Sequence, residues 1–282
     1  AVSGVAAVAM TYIGEEIAQK DIGFAMGLYI SGTAIGGMGG RLIAGVLVDF
    51  VSWQSATYII GFLNFIIACL FYLLLPKSQH FKPFPFRFSR FKAAFEQNLK
   101  DSKLRILFAQ GFILMGCLVT VFNYISYHLL EAPFHLSQAW IGVISIAYLA
   151  GIYSSPKAAQ WGFKYGRDKV LPMMLMTMMI GLWFTLIPSL WSILIGLIIF
   201  AFSFFAAHST ASSWVSVQAV QYRAVASSLY LFCYYIGSSL LGSFGGLVWE
   251  QFGWIGINLS VSVVLVIGLV SALYLGKLQR SA

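Results

Sequence analysis

Residues 25–53, AMGLYISGTAIGGMGGRLIAGVLVDFVSW, and residues 226–254, ASSLYLFCYYIGSSLLGSFGGLVWEQFGW, decide the fold when laid over one another at an offset of 201 residues. The ungapped pair shares Ala25/Ala226, Leu28/Leu229, Tyr29/Tyr230, Ile35/Ile236, Gly36/Gly237, Gly45/Gly246 and Trp53/Trp254, and an acid stands at both Asp49 and Glu250. Common membrane composition accounts for matched aliphatic residues but not for matched glycine, acid and tryptophan positions, so the pair reads as an internal duplication. Each copy also holds an apolar run of about 20 residues, enough at about 1.5 Å per residue to cross a hydrocarbon core of roughly 30 Å.

Similar runs recur along the whole chain. Of 282 residues, 60% are hydrophobic and 9% charged, against about 25% charged in soluble domains, and a water-exposed surface cannot be built from that. Alternating ten-residue strands, the mark of a membrane barrel, are missing from the sequence. The expectation is an all-α polytopic membrane protein with nine spans, at 1–16, 23–47, 55–75, 105–130, 139–157, 170–188, 191–217, 225–248 and 255–276. Cys69, Cys117 and Cys233 fall inside spans and suggest neither a disulfide framework nor a thiolate metal cluster.

The net charge of +8 would suit nucleic acid, but the positions of the charges argue otherwise. Of 17 Lys and Arg residues, all but Arg41 sit at alternate connections: Lys20, Lys77 to Arg105, Lys157 to Lys169, Arg223, and Lys277 with Arg280. The intervening connections carry Asp49, Glu131 and Glu250 and no basic residue. That is the positive-inside pattern, with the basic connections cytoplasmic. It makes the N-terminus external, yet Ala1 opens directly in an apolar run without an initiator Met or a signal-peptide basic region. If the first three spans repeat the seventh to ninth, the partners of the middle three would begin near 105 − 201 = −96, so about 100 further residues and three more helices are expected upstream. Six plus six helices would then be related by an axis along the membrane normal.

The span from 23 to 47 carries Gly32, Gly36, Gly40 and Ala44 at four-residue spacing, with Gly37 and Gly45 beside them, and Ser238, Gly242 and Gly246 echo it in the second copy. Such a stripe permits close helix approach in lipid, where packing must replace the hydrophobic drive. Here the chain resembles the major facilitator superfamily over its whole length. The antiporter motif Gly-x8-Gly-x3-Gly-Pro-x2-Gly-Gly of that family's fifth helix is matched by Gly27, Gly36, Gly40 and Gly45, with Arg41 in place of the proline and Ala44 in place of a glycine. The missing proline weakens transfer of the antiporter label. The segment Trp161 to Lys169 is similar to a decayed copy of the family's Gly-x3-Asp-Arg-x-Gly-Arg loop, in which Gly166 and Arg167 fit and Phe163 occupies the Asp position. The stretches from Glu15 to Leu47 and from Phe204 to Ser243 are similar to a bacterial inner-membrane branch of proton-coupled efflux proteins.

The resemblance implies a division into residues 1–75 as the fourth to sixth helices of a first bundle, 76–104 as a cytoplasmic connection, 105–276 as a second six-helix bundle and 277–282 as a cytoplasmic tail. It implies proton-driven export of a small solute by alternating access, in a bacterial inner membrane, by a monomer that needs no cofactor and no metal. It also implies that the fourth, fifth, seventh, eighth, tenth and eleventh helices line a central cavity, with the sixth, ninth and twelfth facing lipid.

Candidate cavity residues are the polar groups inside those spans: Gln110, Asn123, Tyr124 and Tyr127 on the seventh helix, Tyr230, Tyr234 and Tyr235 on the eleventh, and His208 on the tenth. Polar groups in hydrocarbon need partners, so these should point inward, to substrate or to neighbouring helices. His208 lies about 26 Å by helical rise from Trp191 and about 13 Å from Val217, inside the membrane. Ser209, Ser212, Ser213 and Ser216 follow it at helical spacing as a polar stripe expected to face the cavity. An imidazole titrates in the range a proton gradient can reach; the alternative is a neutral hydrogen-bonding residue, and both readings stand. Arg41, about two turns from Asp49, is expected to snorkel outward or to serve gating or substrate attraction.

Residues 80–95, HFKPFPFRFSRFKAAF, interleave six phenylalanines with Lys82, Arg87, Arg90 and Lys92. Such a mixture can stack nucleobases, but beside membrane spans it reads as an amphipathic segment on anionic lipid, and no nucleic-acid partner is expected. A polytopic membrane enzyme is the rival class. It would need clustered ligands or a nucleophile with its base, whereas His80, His128, His135 and His208 scatter, and Glu15 with Glu16 is the sole adjacent acidic pair. A non-transporting scaffold is a second rival, for which a two-fold repeat has no evident use.

Overall fold

The computed structural model describes residues 8–9, 12–13, 16–17, 22–79, 88–219 and 221–280. Among them every regular element is helical: α1 Ile22–Phe50, α2 Trp53–Leu74, α3 Phe88–Lys100, α4 Ser102–Leu130, α5 Gln138–Ile144, a 3₁₀ turn Ser145–Tyr148, α6 Leu149–Tyr165, α7 Arg167–Phe184, α8 Leu190–Gln218 and α9 Arg223–Arg280. Most of the expected first span and half of the Phe-rich segment, His80 included, lie outside the described residues.

The helix boundaries follow local chemistry. Asp101 caps α4, its Oδ1 accepting from the backbone N–H of Lys103 at 2.8 Å and of Leu104 at 3.3 Å, and Ser52 caps α2 by accepting from Ser55 N–H at 3.3 Å. Each satisfies orphan donors of a first turn that lipid cannot solvate. Gly166, at φ 92°, makes the corner between α6 and α7, a backbone region that costs a residue with a Cβ.

Four expected spans differ in detail. The span at 139–157 extends to Tyr165 and is broken into α5 and α6 by the 3₁₀ turn. The span at 170–188 begins earlier, at Arg167, because the Gly166 carbonyl accepts from Val170 N–H at 3.1 Å and so starts the helix within the basic connection. The last two spans form one run, α9, bent at Gly253, whose φ of 57° and ψ of −148° are not helical. A single glycine outside the helical well is enough to turn the chain from one limb, 223–252, into the next, 254–280.

The second limb, α4, α7 and α8 supply most of the buried interior. On α7, Leu171, Leu175, Met178 and Leu182 form one buried stripe at helical spacing. Between α7 and α8 the backbones come so close that a Cβ on Gly181 would lie 2.8 Å from the Gly196 carbonyl oxygen, and one on Gly196 would lie 2.6 Å from that of Gly181. Polar ties cross the same bundle: Gln110 on α4 donates to the Gly268 carbonyl and to Ser271 Oγ, both at 2.8 Å. Trp254 Nε1 donates to the Thr185 carbonyl at 3.1 Å. At one end, Arg280 grips Asp168 through Nε and Nη2 at 3.1 and 2.7 Å, and Gln218 donates to Asp101 at 2.8 Å.

By contrast α1 and α2 are largely exposed; Ala56 is the one buried residue of α2. The expected contact stripe of Gly32, Gly36 and Gly40 meets no described residue. The neighbouring row makes the approach instead. A Cβ on Gly45 would lie 2.7 Å from the Gln138 carbonyl oxygen and 3.1 Å from Gly142 Cα, and one on Gly37 would lie 3.1 Å from the Tyr148 ring. Asp49 Oδ2 accepts from Ala139 N–H at 3.0 Å beside this contact. These contacts seat α1 on α5, the 3₁₀ turn and α6, and so form the seam that holds the site. Farther along the chain, Glu16 accepts from Ser78 Oγ and from Gln79 N–H.

Candidate substrate cavity

Between α1, α4, the 3₁₀ turn, α8 and α9 the helices leave a cavity of about 300 Å³. Its wall includes Tyr29, Thr33 and Arg41 from α1, Met115 and Val119 from α4, Tyr148 from the turn, Phe204 and His208 from α8, and Tyr234 and Tyr235 from α9. Aromatic rings lie beside the aliphatic Ile30, Leu118, Val119 and Leu231, with a few polar groups placed among them, as in pockets that orient a solute. A second hollow of about 230 Å³ lies toward the Asp49 end of α1, bounded by Ala44, Val48, Phe122, Ser126, Gln138 and Ser145. Arg41 stands in the wall of both.

The guanidinium of Arg41 does not snorkel away. Nη2 donates to Asn123 Oδ1 at 2.9 Å and Nη1 to the Phe122 carbonyl at 3.2 Å, while the charge lies 5.8 Å from the Phe122 ring centroid. Two acceptors and an aromatic face on α4 solvate the cation locally, which a lipid-facing rotamer could not supply. The Phe122 carbonyl also accepts from Ser126 Oγ at 3.1 Å.

His208 is buried in an aromatic stack. Its Nδ1 is 2.8 Å from Tyr230 Oη, its ring lies 4.8 Å from that of Tyr234 and 5.9 Å, nearly parallel, from that of Phe204. Tyr234 in turn meets Tyr235 edge-on at 5.3 Å. The cluster presents one edge to the cavity and ties α8 to α9.

The expected cavity residues separate into groups. His208 and Tyr234 line the cavity, and Tyr230 backs it through His208. Asn123 reaches it through Arg41. Gln110 lies elsewhere, between α4 and the second limb of α9, and one of its polar atoms, Oε1, has no hydrogen-bond partner. Tyr124 donates to the Gly242 carbonyl at 2.8 Å and, with Tyr127, packs on Trp249 at 6.1 and 6.0 Å. Of the fifth-helix motif, Arg41 enters the cavity wall, Gly45 makes the close contact with α5, and Gly36 and Gly40 face no described residue; Gly27 lies on α1. The serine stripe after His208 donates to backbone: Ser209 to the Ser155 carbonyl at 3.0 Å, and Ser212, Ser213 and Ser216 to carbonyls three or four residues back, while Ser213 Oγ also accepts from Arg167 Nε at 3.4 Å. Hydroxyls so paired need no aqueous face.

Sequence reasoning missed Tyr29, Thr33 and Tyr148 as wall residues. Tyr29 was open to recognition as the repeat partner of Tyr230; nothing in the sequence marks Tyr148, which the 3₁₀ break turns inward. Among the described residues no three His, Cys, Asp or Glu side chains are grouped to hold a metal ion.

Residues 1–242 match the profile of the Major Facilitator Superfamily. The chain is 48% identical over 267 residues to the "Inner membrane transport protein YnfM" of Escherichia coli (strain K12), covering 95% of this chain and 64% of that protein. It is 46% identical over 277 residues to an "Uncharacterized transporter" of Buchnera aphidicola subsp. Schizaphis graminum, covering 98% of this chain and 67% of that protein. To the "Uncharacterized MFS-type transporter YybF" of Bacillus subtilis (strain 168) it is 40% identical, over 98% of this chain and 69% of that protein. The chain thus spans about two thirds of the length of these relatives. With an all-helical membrane architecture and this match across most of its length, the chain belongs to the major facilitator superfamily.

Proposed function

We propose that the protein is a secondary active transporter that moves a small solute across a bacterial inner membrane by alternating access, with export coupled to proton entry, and that it works as a monomer rather than as an enzyme. One observation carries the reading: α1, from one copy of the repeat, and α9, from the other, both line the same largely aromatic cavity. A site on the seam between two similar units can be opened to either side by rocking one against the other. The names of the relatives, transport proteins in each case, support the same reading.

In this scheme α1 and α2 belong to the first bundle and α4 to α9 to the second, with the connection between them, α3 included, on the cytoplasmic membrane surface. Lys92 and Glu96 pair at 3.8 Å along α3, and the tilted rings of Phe91 and Phe95 lie 6.4 Å apart on a neighbouring face, as an amphipathic interfacial helix requires. The close contact of Gly45 with Gly142 then lies at the external end, beside the second hollow. His208 is the candidate proton carrier, because it is the one imidazole in the cavity wall.

The deciding experiment reconstitutes the full-length protein in proteoliposomes and measures flux of a solute panel under an imposed pH gradient. Gradient-driven flux above that of protein-free vesicles is expected, and no flux of any solute would remove the transport reading. His208→Gln keeps a neutral hydrogen-bonding group that cannot titrate. It should abolish the pH dependence; unchanged rate and unchanged pH dependence would leave His208 as a tie between α8 and α9.

A further inference from the structure

We infer that the cavity is selective for organic anions, with Arg41 as the group that binds the anionic head and the surrounding rings as the seat for an apolar or aromatic body. This deepens the transport reading by giving the substrate class of the same cavity.

The inference rests on the charge balance of the cavity. Arg41 is the cation in the wall, about 12 Å by helical rise from Asp49 on its own helix. Its hydrogen-bond partners, the Phe122 carbonyl and the Asn123 amide oxygen, are neutral, as is the Phe122 ring beneath it. These groups solvate the charge but do not cancel it. The acids at described positions, Glu16, Asp49, Glu96, Asp101, Glu131, Asp168 and Glu250, all stand at helix ends or connections, and none of them lines either hollow. The described wall therefore carries a net positive charge in a medium of low dielectric, where a like-charged solute is excluded and an opposite charge is attracted strongly.

The other wall groups extend the argument. Tyr29, Tyr234 and Tyr235 bring hydroxyls that can donate to an anion, and the His208–Tyr230 pair brings no carboxylate. Phe204, Phe205 and the tyrosine rings supply apolar faces. A guanidinium presents five N–H donors in a planar fork, of which two are directed at α4. A carboxylate, sulfonate or phosphate-type head could take up others without breaking that anchorage. Because Arg41 also borders the hollow toward Asp49, an anion leaving the central cavity by that route would pass along the same guanidinium.

The test is equilibrium binding of radiolabelled benzoate, benzyl alcohol and benzylamine to the full-length protein in nanodiscs at neutral pH. The three share a ring and differ in head charge. Benzoate should bind at least about tenfold more tightly than benzyl alcohol, and benzylamine more weakly than either. Arg41→Gln should remove the preference for benzoate, and Arg41→Lys should retain part of it. Equal or tighter binding of benzylamine, absence of saturable benzoate binding, or benzoate affinity unchanged in Arg41→Gln would overturn the inference. If Arg41→Gln fails to fold, the ranking of the three probes on the unaltered protein decides. Binding and transport fail separately: benzoate held but never moved would sink the transport reading alone, whereas gradient-driven flux confined to cationic solutes would sink the anion assignment alone.

Discussion

Trp53 and Trp254 hold the same place in the two copies of the repeat, yet the first is 69% exposed while the second is 6% exposed, bonded to the Thr185 carbonyl and stacked on His128 at 5.5 Å. Gly36 and Gly237 diverge in the same way: a Cβ on Gly36 meets no described residue within 4 Å, and one on Gly237 would lie 2.1 Å from the Phe112 carbonyl oxygen. At the next matched turn, Arg41 donates to Phe122 and Asn123 of α4, while its counterpart Gly242 accepts from Tyr124 on that same helix. The shared pattern encodes a helix and the row of small residues along it. What differs is the neighbour. In the second copy α4 presses its backbone into the glycine row, and in the first α4 stands farther off, so a long cation spans the gap and a cavity opens beside it.

The largest expected effect comes from filling the tight copy. Gly237→Ala should cost about 2–3 kcal/mol, because overpacking against a backbone carbonyl that cannot swing aside outweighs the gain of about 1 kcal/mol in helix propensity. Gly36→Ala should be neutral or stabilising by up to about 1 kcal/mol. Denaturant unfolding in detergent micelles reads both, and similar shifts would break the comparison. Next comes the tryptophan pair. Trp254→Phe keeps most of the ring but loses the bond to Thr185, at a cost of about 1–2 kcal/mol, whereas Trp53→Phe should stay within about 0.5 kcal/mol.

The same pair of copies shows how far the sequence could be read. Span positions, the membrane class and the candidacy of His208 and Tyr234 were legible because apolar run length and intramembrane polarity act locally on the chain. The direction in which Arg41 points was not, since snorkelling and inward pairing are equally open to a long side chain until Asn123 and the Phe122 carbonyl are brought near it. Nor was the fate of Gln110, which shares the polarity of Asn123 but sits on the face of α4 turned to the second limb of α9. The serine stripe after His208 misled for a related reason: periodicity places hydroxyls on a face, but a serine in a helix can satisfy itself on its own backbone. The glycine row was readable as a packing device, yet which of its two neighbouring rows would meet a partner depended on where α5 came to lie.

A smaller effect is expected where α4 reaches the second copy. Tyr124→Phe removes the hydroxyl that donates to the Gly242 carbonyl but leaves the stack on Trp249, so the loss should be about 1 kcal/mol. Asn123→Ala removes one acceptor of Arg41 in the first copy; there the readout is the benzoate affinity, which should change more than the unfolding free energy. A larger change in stability than in affinity would mean that α4 serves both copies as packing alone.

The smallest expected difference lies in the paired acids. Asp49 Oδ2 accepts from Ala139 N–H at 3.0 Å, at the start of α5, whereas Glu250 borders a wide hollow with His128, Glu131 and Trp249. An anion at a helix start is favoured by the unpaired N–H groups and the local dipole, worth about 0.3–1 kcal/mol at low ionic strength. Because α5 runs only from Gln138 to Ile144, the lower end of that range applies. Asp49→Asn keeps an acceptor for Ala139 and removes only the charge, so it should destabilise by a few tenths of a kcal/mol in low salt and by less as salt screens the interaction. Glu250→Gln should show neither the loss nor its salt dependence. Unfolding midpoints of both variants at low and high salt decide the matter, and an equal salt-dependent loss in Glu250→Gln would mean that the charge matched across the repeat acts through the field of the membrane surface rather than through the contact with α5.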